Sequence, residues 1–347
     1  MIREVSLQLA YYSKPIAPSS NKPLPSAVVV CTRDRPDFLR ETIRSILAST
    51  PAPELLVIVD QADPAAPDPL GPLAKHPSVL RLHHRGTGLS RARNIGTAAA
   101  AEAGATIVAY TDDDCTVEPS WLEGLAAMFA AAPDVALVFG STLAAPHDPA
   151  LGMIPAYQVA KLAVHRGLVN KPRVEGMGAC MAVRVVTWRR IGGFDDHLGA
   201  GTPLAAAEEN DLSIRLLNAG LAVAETPAAV VIHHGLRDRE AASALVAGYM
   251  RGSGAATAKL LRLGGLRAVA PLLWIGKRWV LGQSAVTLGH MPPRRVRLHN
   301  FLSGVRLGWQ KPLDSHTGRF QPFLSPEDLR KSMDRDPGAS QLSRFVQ

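Results

Sequence analysis

Hydrophobic residues follow two spacings along the first 240 positions. Short continuous apolar runs alternate with stretches in which apolar residues recur every three or four positions. Ala27-Val28-Val29-Val30-Cys31-Thr32 and Leu55-Leu56-Val57-Ile58-Val59 are continuous and partly β-branched, which predicts buried strands, the second ending at Asp60. Pro36 to Leu47 sets Leu39, Ile43, Ile46 and Leu47 on one face behind a proline in the first turn, which predicts a helix. Val79-Leu80-Arg81-Leu82-His83 alternates as a third strand. Ser90 to Ala103 is an Ala-rich helix, and Thr106-Ile107-Val108-Ala109-Tyr110 is a further buried strand. Ala62 to Pro77 carries five prolines and predicts a loop. A helix from Trp121 to Ala131 and a strand from Ala136 to Gly140 continue the pattern. After Asp148 it loosens into a lid-like region until Glu208. Asn210 to Asn218 is again helical and stops at Gly220, and Val223 to Ile232 is a strand interrupted by Pro227. Strands alternating with helices predict an α/β, doubly wound, mostly parallel sheet flanked by helices.

The chain therefore divides into a polar leader (1–25), an α/β domain (26–240) and a helical, basic C-terminal extension (241–347). Net charge changes the picture of its partners. The formal value is +8 with a pI near 9.7, and the surplus gathers between Arg251 and Arg330, including Lys277-Arg278 and Pro293-Arg294-Arg295-Val296-Arg297. Such a surplus suits nucleotide phosphates or an anionic membrane surface. Aromatic interleaving in that region is limited to Trp274, Trp279, Phe301 and Trp309, so no nucleic-acid partner is expected. Leu260 to Val286 has apolar stretches broken by Lys and Arg, as an interfacial helix has, although a solvated helical domain packed on the first would look alike. No run of 18 apolar residues occurs, which argues against a membrane-spanning helix. Cys31, Cys115 and Cys180 are too few and too scattered for a disulfide framework or a zinc site. The expected setting is cytoplasmic, with peripheral contact at the inner face of the membrane.

Candidate chemistry gathers at predicted strand and helix ends. Thr111-Asp112-Asp113-Asp114 puts three carboxylates behind a buried strand, at the sheet edge where open α/β folds bind ligands. Their mutual repulsion is relieved by a divalent cation. Taken alone, the run also suits a solvated turn or a helix cap. Arg33 and Arg35, after the first strand, suit phosphate or a base pocket. Ser90 is placed to cap the helix that carries Arg93 and Asn94. Glu208-Glu209-Asn210-Asp211 opens another helix, where the dipole stabilises carboxylates and crowding raises their pKa, as a general base requires. His233-His234 ends a strand and offers an imidazole to a metal held by Asp114. Neither Gly-x-Gly-x-x-Gly nor Gly-x-x-x-x-Gly-Lys-Ser/Thr is present, which argues against a dinucleotide cofactor and a P-loop.

The set, in order, resembles the inverting glycosyltransferases of family 2, which have the GT-A fold. The residues that carry the resemblance run from Val30-Cys31-Thr32-Arg33-Asp34-Arg35-Pro36 through Val57-Ile58-Val59-Asp60 and Leu89-Ser90-Arg91-Ala92-Arg93-Asn94-Ile95-Gly96. They continue with Tyr110-Thr111-Asp112-Asp113-Asp114, Ile191-Gly192-Gly193-Phe194-Asp195 and Glu208-Glu209-Asn210-Asp211-Leu212 to His233. The resemblance implies that Thr32, Arg33, Arg35, Asp60, Arg93, Asp112 and Asp113 surround a nucleoside-diphosphate sugar. It implies that Asp114, with His233, holds Mg²⁺ or Mn²⁺ on the diphosphate. Glu209 falls on the position of the catalytic base, with Glu208 and Asp211 as further candidates. Gly176 to Ala182 resembles the segment that meets sugar and acceptor, with Cys180 in place of a common Asn. The acceptor would be a saccharide, a lipid-linked molecule or a small molecule, and the anomeric configuration would invert. Rival expectations are a sugar-nucleotide nucleotidyltransferase and a non-catalytic binding protein.

Overall fold

The structure is a computed structural model that describes residues 26–63, 65–273 and 292–322. The leader at 1–25, Lys277-Arg278, Trp274, Trp279, Arg330 and the second half of the interfacial stretch lie outside the described residues.

Strands β1 (Ser26–Thr32), β2 (Leu55–Asp60), β3 (Val79–His83) and β4 (Ile107–Asp112) form an all-parallel half-sheet in the order β3-β2-β1-β4. Helices α1 (Pro36–Leu47) and α2 (Leu89–Glu102) cover its two faces. The continuous apolar runs follow from that cover, because both sides of each strand are buried. Val28 and Val30 pack with Leu39, Ile43 and Ile46 of α1, while Ala27 and Val29 pack with Ala92, Ile95 and Ala99 of α2. Gly96 lets α2 approach the sheet closely, since a Cβ there would lie 2.5 Å from Val29 Cγ1 and 3.1 Å from Val59 Cγ2. Gly96→Ala is expected to lower stability by up to about 2 kcal/mol in urea unfolding, an overpacking cost of about 1–3 kcal/mol less the roughly 1 kcal/mol that alanine adds to a helix.

The second half of the sheet is mixed. β5 (Cys115–Val117), β6 (Val135–Ala144), β7 (Ala163–Arg166), β8 (Met181–Arg184) and β9 (Ala222–His233) complete the order β4-β8-β6-β9-β5, with β7 also on β9. β8 lies antiparallel between β4 and β6, at the centre of the sheet. The lid-like reading of 149–207 therefore misses a central strand; four residues give no periodicity to detect. α3 (Trp121–Ala131) and the short α4 (Val185–Arg190) flank this half. Pro227 does not end β9. Its register against β6 shifts between Glu225 and Val230, so the proline sits in a bulge. Gly124 of α3 and Gly140 of β6 admit that bulge; a Cβ on either would lie 2.5 Å from a backbone oxygen of Ala228 or Ala229.

Beyond α5 (Glu208–Asn218), the described residues of the expected helical extension include two long helices. α6 (Arg239–Gly264) is capped by Asp238, whose side chain accepts from Ala241 N, and α7 (Arg294–Gln310) packs along it. The boundary expected at residue 240 falls inside α6, and α6 packs on α5. Small residues bring the helices together: Gly304 sits against the Arg251 backbone, Gly254 against Phe301 and Gly308 against Ala255. No helix among the described residues is long and apolar enough to cross a membrane.

Candidate active site

The carboxyl ends of β1 and β4, the start of α5 and the first half of α6 enclose one open cleft of about 420 Å³. That volume suits a small-molecule ligand. Thr32, Arg33, Arg35, Arg93, Asp112, Asp113, Asp114, Glu208, Glu209 and His233 all line it.

Strand β4 runs two residues further than the apolar pattern suggests, so Asp112 is its last residue, paired with Cys31 of β1. Asp113 and Asp114 form the turn into β5 rather than a solvated loop or a cap. Asp113 is buried and accepts from Thr32 Oγ1 at 2.7 Å and from Arg35 Nη1 at 3.2 Å, while its carbonyl accepts from Thr42 Oγ1 at 2.8 Å. Burial pushes its carboxyl up to about 6, against the pull of Thr32 and Arg35. Asp114 is equally buried, and burial alone would raise it. The His233 hydrogen bond and the charges of His233, Arg35 and Arg237 hold it instead at about 2, so it is a permanent anion. Arg35 Nη1 lies 2.9 Å and Arg237 Nη2 3.5 Å from Asp114 Oδ2, and His233 Nε2 lies 3.2 Å from Oδ1.

These donors fit a hard divalent cation. The Nδ1 atom of His233 is 3.2 Å from the carbonyl of Pro155, which orients Nε2 toward Asp114 as a ligating imidazole needs. Gly235 leaves room around the carboxylate, because a Cβ there would collide with Asp114 Oδ2. The Cys115 sulfur is close enough to join Asp114 and His233. Burial first, then the charges of Asp112 and Asp114, raise its thiol well above the ordinary value, so it stays protonated and the oxygen and nitrogen donors remain.

Helix α5 begins through two strained residues, Ala205 (φ +66°) and Ala207 (φ +72°), both alanines in the left-handed region. That entry turns the first carboxylates of α5 into the cleft. Glu208 Oε1 accepts from Arg93 Nη1 at 2.8 Å, and Arg93 Nη2 reaches Asp112 Oδ1 at 3.0 Å and the Gly178 carbonyl at 3.3 Å. One buried guanidinium thus ties Asp112, at the end of β4, to the start of α5, which lies 115 residues beyond Arg93 in sequence. With its donors so committed, Arg93 holds carboxylates in place; the cations nearer the open cleft are Arg33, Arg35 and Arg237. Glu209 has no such partner. Burial, then the neighbouring Glu208 charge, lifts its carboxyl to about 8, the range a general base uses.

Several expected site residues stand elsewhere. Asp211 is fully buried away from the cleft, accepting from Arg215 Nε at 2.8 Å and from Lys259 Nζ at 2.7 Å, which excludes it as a base. Asp60 is buried at the end of β2, where both oxygens are engaged by Arg81 and by the Ala62 N–H, and it does not line the cleft. Ser90 caps nothing; its hydroxyl donates to the Leu198 carbonyl at 2.7 Å, inside the first turn of α2. Asn94 binds both the N–H and the carbonyl of Phe194 at 2.9 Å, a structural role. Cys180 faces the core beside Ala229, while its neighbours Met177, Gly178 and Ala179 reach the cleft. His234 turns away to Thr116.

Leu245, Tyr249 and Arg237 complete the cleft from the C-terminal side, and the sequence carries no local signal for them. Leu245 and Tyr249 are one turn apart on α6 and count as core by spacing. Burial, then the charges of Glu209 and Glu208, raise the Tyr249 hydroxyl well above its ordinary value, so it remains a hydrogen-bond donor beside the carboxylates.

Comparison with known proteins agrees with this geometry. Residues 27–149 match the model of glycosyl transferase family 2. A glucosyl-dolichyl phosphate glucuronosyltransferase of Haloferax volcanii is 35% identical over 124 residues, which is 34% of this chain and 38% of that protein. The chain thus spans well under half the length of that curated relative. Among solved structures, the mannosyltransferase PcManGT from Pyrobaculum calidifontis, in complex with GDP-Man and Mn²⁺, superposes with a TM-score of 0.52 at 16% identity, over 99% of this chain and 92% of that one. GalNAc-T7 with UDP, GalNAc and Mn²⁺ gives 0.50 at 15%, over 70% of this chain and 50% of the other. At these identities the likeness concerns the fold. The segment that carries β1 to β6 thus matches glycosyl transferase family 2, and the chain as a whole has the GT-A fold of these glycosyltransferase structures.

Proposed function

We propose that the chain transfers a sugar from a nucleoside diphosphate to an acceptor hydroxyl, with inversion at the anomeric carbon and with Mg²⁺ or Mn²⁺. The observation that carries this reading is the convergence of the Asp112–Asp114 turn and the Glu208-Glu209 helix start on one cleft, joined by Arg93. A nucleotidyltransferase needs no base poised opposite the acidic turn. That two solved structures of like fold hold UDP, GalNAc and Mn²⁺, and GDP-Man and Mn²⁺, supports the same reading.

Asp114 and His233 would hold the cation, which when bound neutralises charge on the leaving diphosphate. Arg35, released from Asp114, and Arg33 and Arg237 would face the diphosphate oxygens. Thr32 keeps Asp113 in place, and Asp112 would hold the ribose or assist the metal. Glu209 accepts the acceptor hydroxyl proton as the acceptor oxygen forms its bond to the sugar C1. The bond from C1 to the diphosphate breaks on the opposite side, so the configuration inverts. Tyr249 donates a hydrogen bond on the acceptor side, next to Leu245. The acceptor is a saccharide, a lipid-linked molecule or a small molecule.

The test is a screen of uridine and guanosine diphosphate sugars with Mn²⁺, reading released nucleoside diphosphate and the anomeric configuration of the product. Pyrophosphate released from a nucleoside triphosphate and a sugar phosphate, with no diphosphate release, would overturn it. Asp114→Asn is expected to abolish the Mn²⁺-dependent rise in melting temperature with nucleoside diphosphate. In the parent that rise corresponds to about 2.7 kcal/mol at a ligand concentration 100 times Kd. An undiminished rise in the variant would remove the metal assignment.

A further inference from the structure

The basic surplus is confined more tightly than the overall charge suggests. Between Glu240 and Asp314 the chain has 11 Lys and Arg and no Asp or Glu; the rest carries 27 against 30. The chain is basic only because of this segment. Helix α7 is an exposed helix of this segment, and its residues separate cleanly by face. Gly304 and Gly308 are buried against α6. On the opposite side Arg295, Leu298, His299, Leu302, Arg306 and Trp309 recur at intervals of three and four, which sets them on one stripe about 100° wide. Every one of them is exposed: Leu298 is 48%, Leu302 55% and Trp309 57% accessible.

Along that stripe Leu298, Leu302 and Trp309 form one margin and Arg295, Arg306 and His299 the other. Among the described residues, neither Arg295 nor Arg306 has an ion-pair partner. Exposed leucines and a tryptophan on a soluble face are unfavourable unless something covers them. A protein partner would need complementary carboxylates and an apolar patch. A nucleic acid would use the arginines and leave both leucines in water. An anionic bilayer satisfies the whole stripe. Leucines enter the acyl boundary, the indole of Trp309 sits at headgroup level, and the arginines meet lipid phosphates. Leu266, 91% exposed just after α6, adds a further apolar contact in the same acid-free segment.

We propose that the outer face of α7 is a membrane-docking surface that binds the headgroups and acyl boundary of an anionic lipid bilayer, lying in the interface without crossing it. This surface is separate from the cleft and does not depend on the reaction assigned there.

The experiment is co-sedimentation of the full chain with vesicles of phosphatidylcholine alone and of phosphatidylcholine mixed with phosphatidylglycerol. Binding is expected to the mixed vesicles and not to the neutral ones. It should fall steeply as salt approaches about 1 M, where screening acts within about 3 Å. Arg295→Gln with Arg306→Gln is expected to weaken partitioning about 25-fold, since each basic residue at an anionic surface contributes roughly fivefold. Leu302→Ser with Trp309→Ser should weaken it by at least about tenfold at unchanged charge. These positions are exposed, and melting temperatures equal to the parent's would confirm intact folding. The salt series on the parent needs no variant at all. Protein left in the supernatant with mixed vesicles, or equal binding to neutral ones, overturns the proposal. So does tight binding to a single-stranded oligonucleotide combined with undiminished vesicle binding by the Leu302/Trp309 variant, which would make the face a nucleic-acid surface.

Discussion

Glu209→Gln is expected to lower turnover by about 10²–10⁴-fold while nucleoside diphosphate still raises the melting temperature as it does in the parent. The amide keeps the size and the hydrogen-bonding reach of the carboxylate but cannot take a proton. Glu208 is the competing candidate, and its engagement decides against it: its Oε1 already accepts from the buried Arg93 guanidinium at 2.8 Å, whereas Glu209 has no such partner. Full activity in Glu209→Gln, with loss in Glu208→Gln, would move the base one residue back. The pH profile gives a second readout. With its carboxyl raised from 4.5 to about 8 by burial and by Glu208, Glu209 is protonated at neutral pH, so the rate of the parent rises through about pH 8. The stability effect has the opposite slope. The folded state holds the Glu209 proton more tightly than the unfolded chain, so stability falls as pH rises between about 4.5 and 8. Glu209→Gln should flatten that decline in denaturant titrations.

Lys259→Met carries the largest expected loss of stability, about 3–5 kcal/mol in urea unfolding. The ammonium group is fully buried on α6. It donates to Asp195 and to Asp211 and lies 4.3 Å from the centre of the Phe320 ring. Deleting it leaves the Asp195 carboxylate buried with only the N–H groups of His197 and Phe320, although Asp211 keeps Arg215. Burial would raise Asp195, but the charge and hydrogen bond of Lys259 draw it down to about 2. A depressed carboxyl stabilises the fold above its ordinary pKa, and that contribution disappears as pH falls from about 4 toward 2. The variant should lose this acid-sensitive component, which separates loss of the ion pair from loss of packing alone. An unfolding midpoint unchanged from the parent would show that the pair contributes nothing net to the fold.

How much of this was legible in the sequence differs between the two halves of the sheet. β1 to β3 and α1 match their apolar patterns to within a residue, because β1 and β2 are buried on both faces while β3 and α1 bury mainly one. β8 was not legible, since its four residues acquire strand geometry only by pairing with β4 and β6. Most cleft residues were legible as strand-end and helix-start clusters, and the family resemblance ordered them. The exceptions share one cause. Asp60 and Asp211 are acidic at the right element ends, yet Arg81 and Lys259 consume them, and such long-range pairing has no local signature. Tyr249 and Leu245 were hidden for the converse reason: on α6 they have the spacing of core residues, and only the packing of α6 over α5 turns them to the cleft.

The glycine contacts between the last two helices have a mechanical consequence. Backbone against backbone at Gly254, Gly304 and Gly308 leaves no compliant layer of side chains between α6 and α7, so the pair acts as a stiff strut. The first half of α6 bears Tyr249 in the wall of the cleft, and the outer flank of α7 bears Trp309. A chain moored by that flank would therefore carry its catalytic opening at a set height and tilt above the lipid, and acceptors would be sorted by how far their hydroxyl stands from the bilayer.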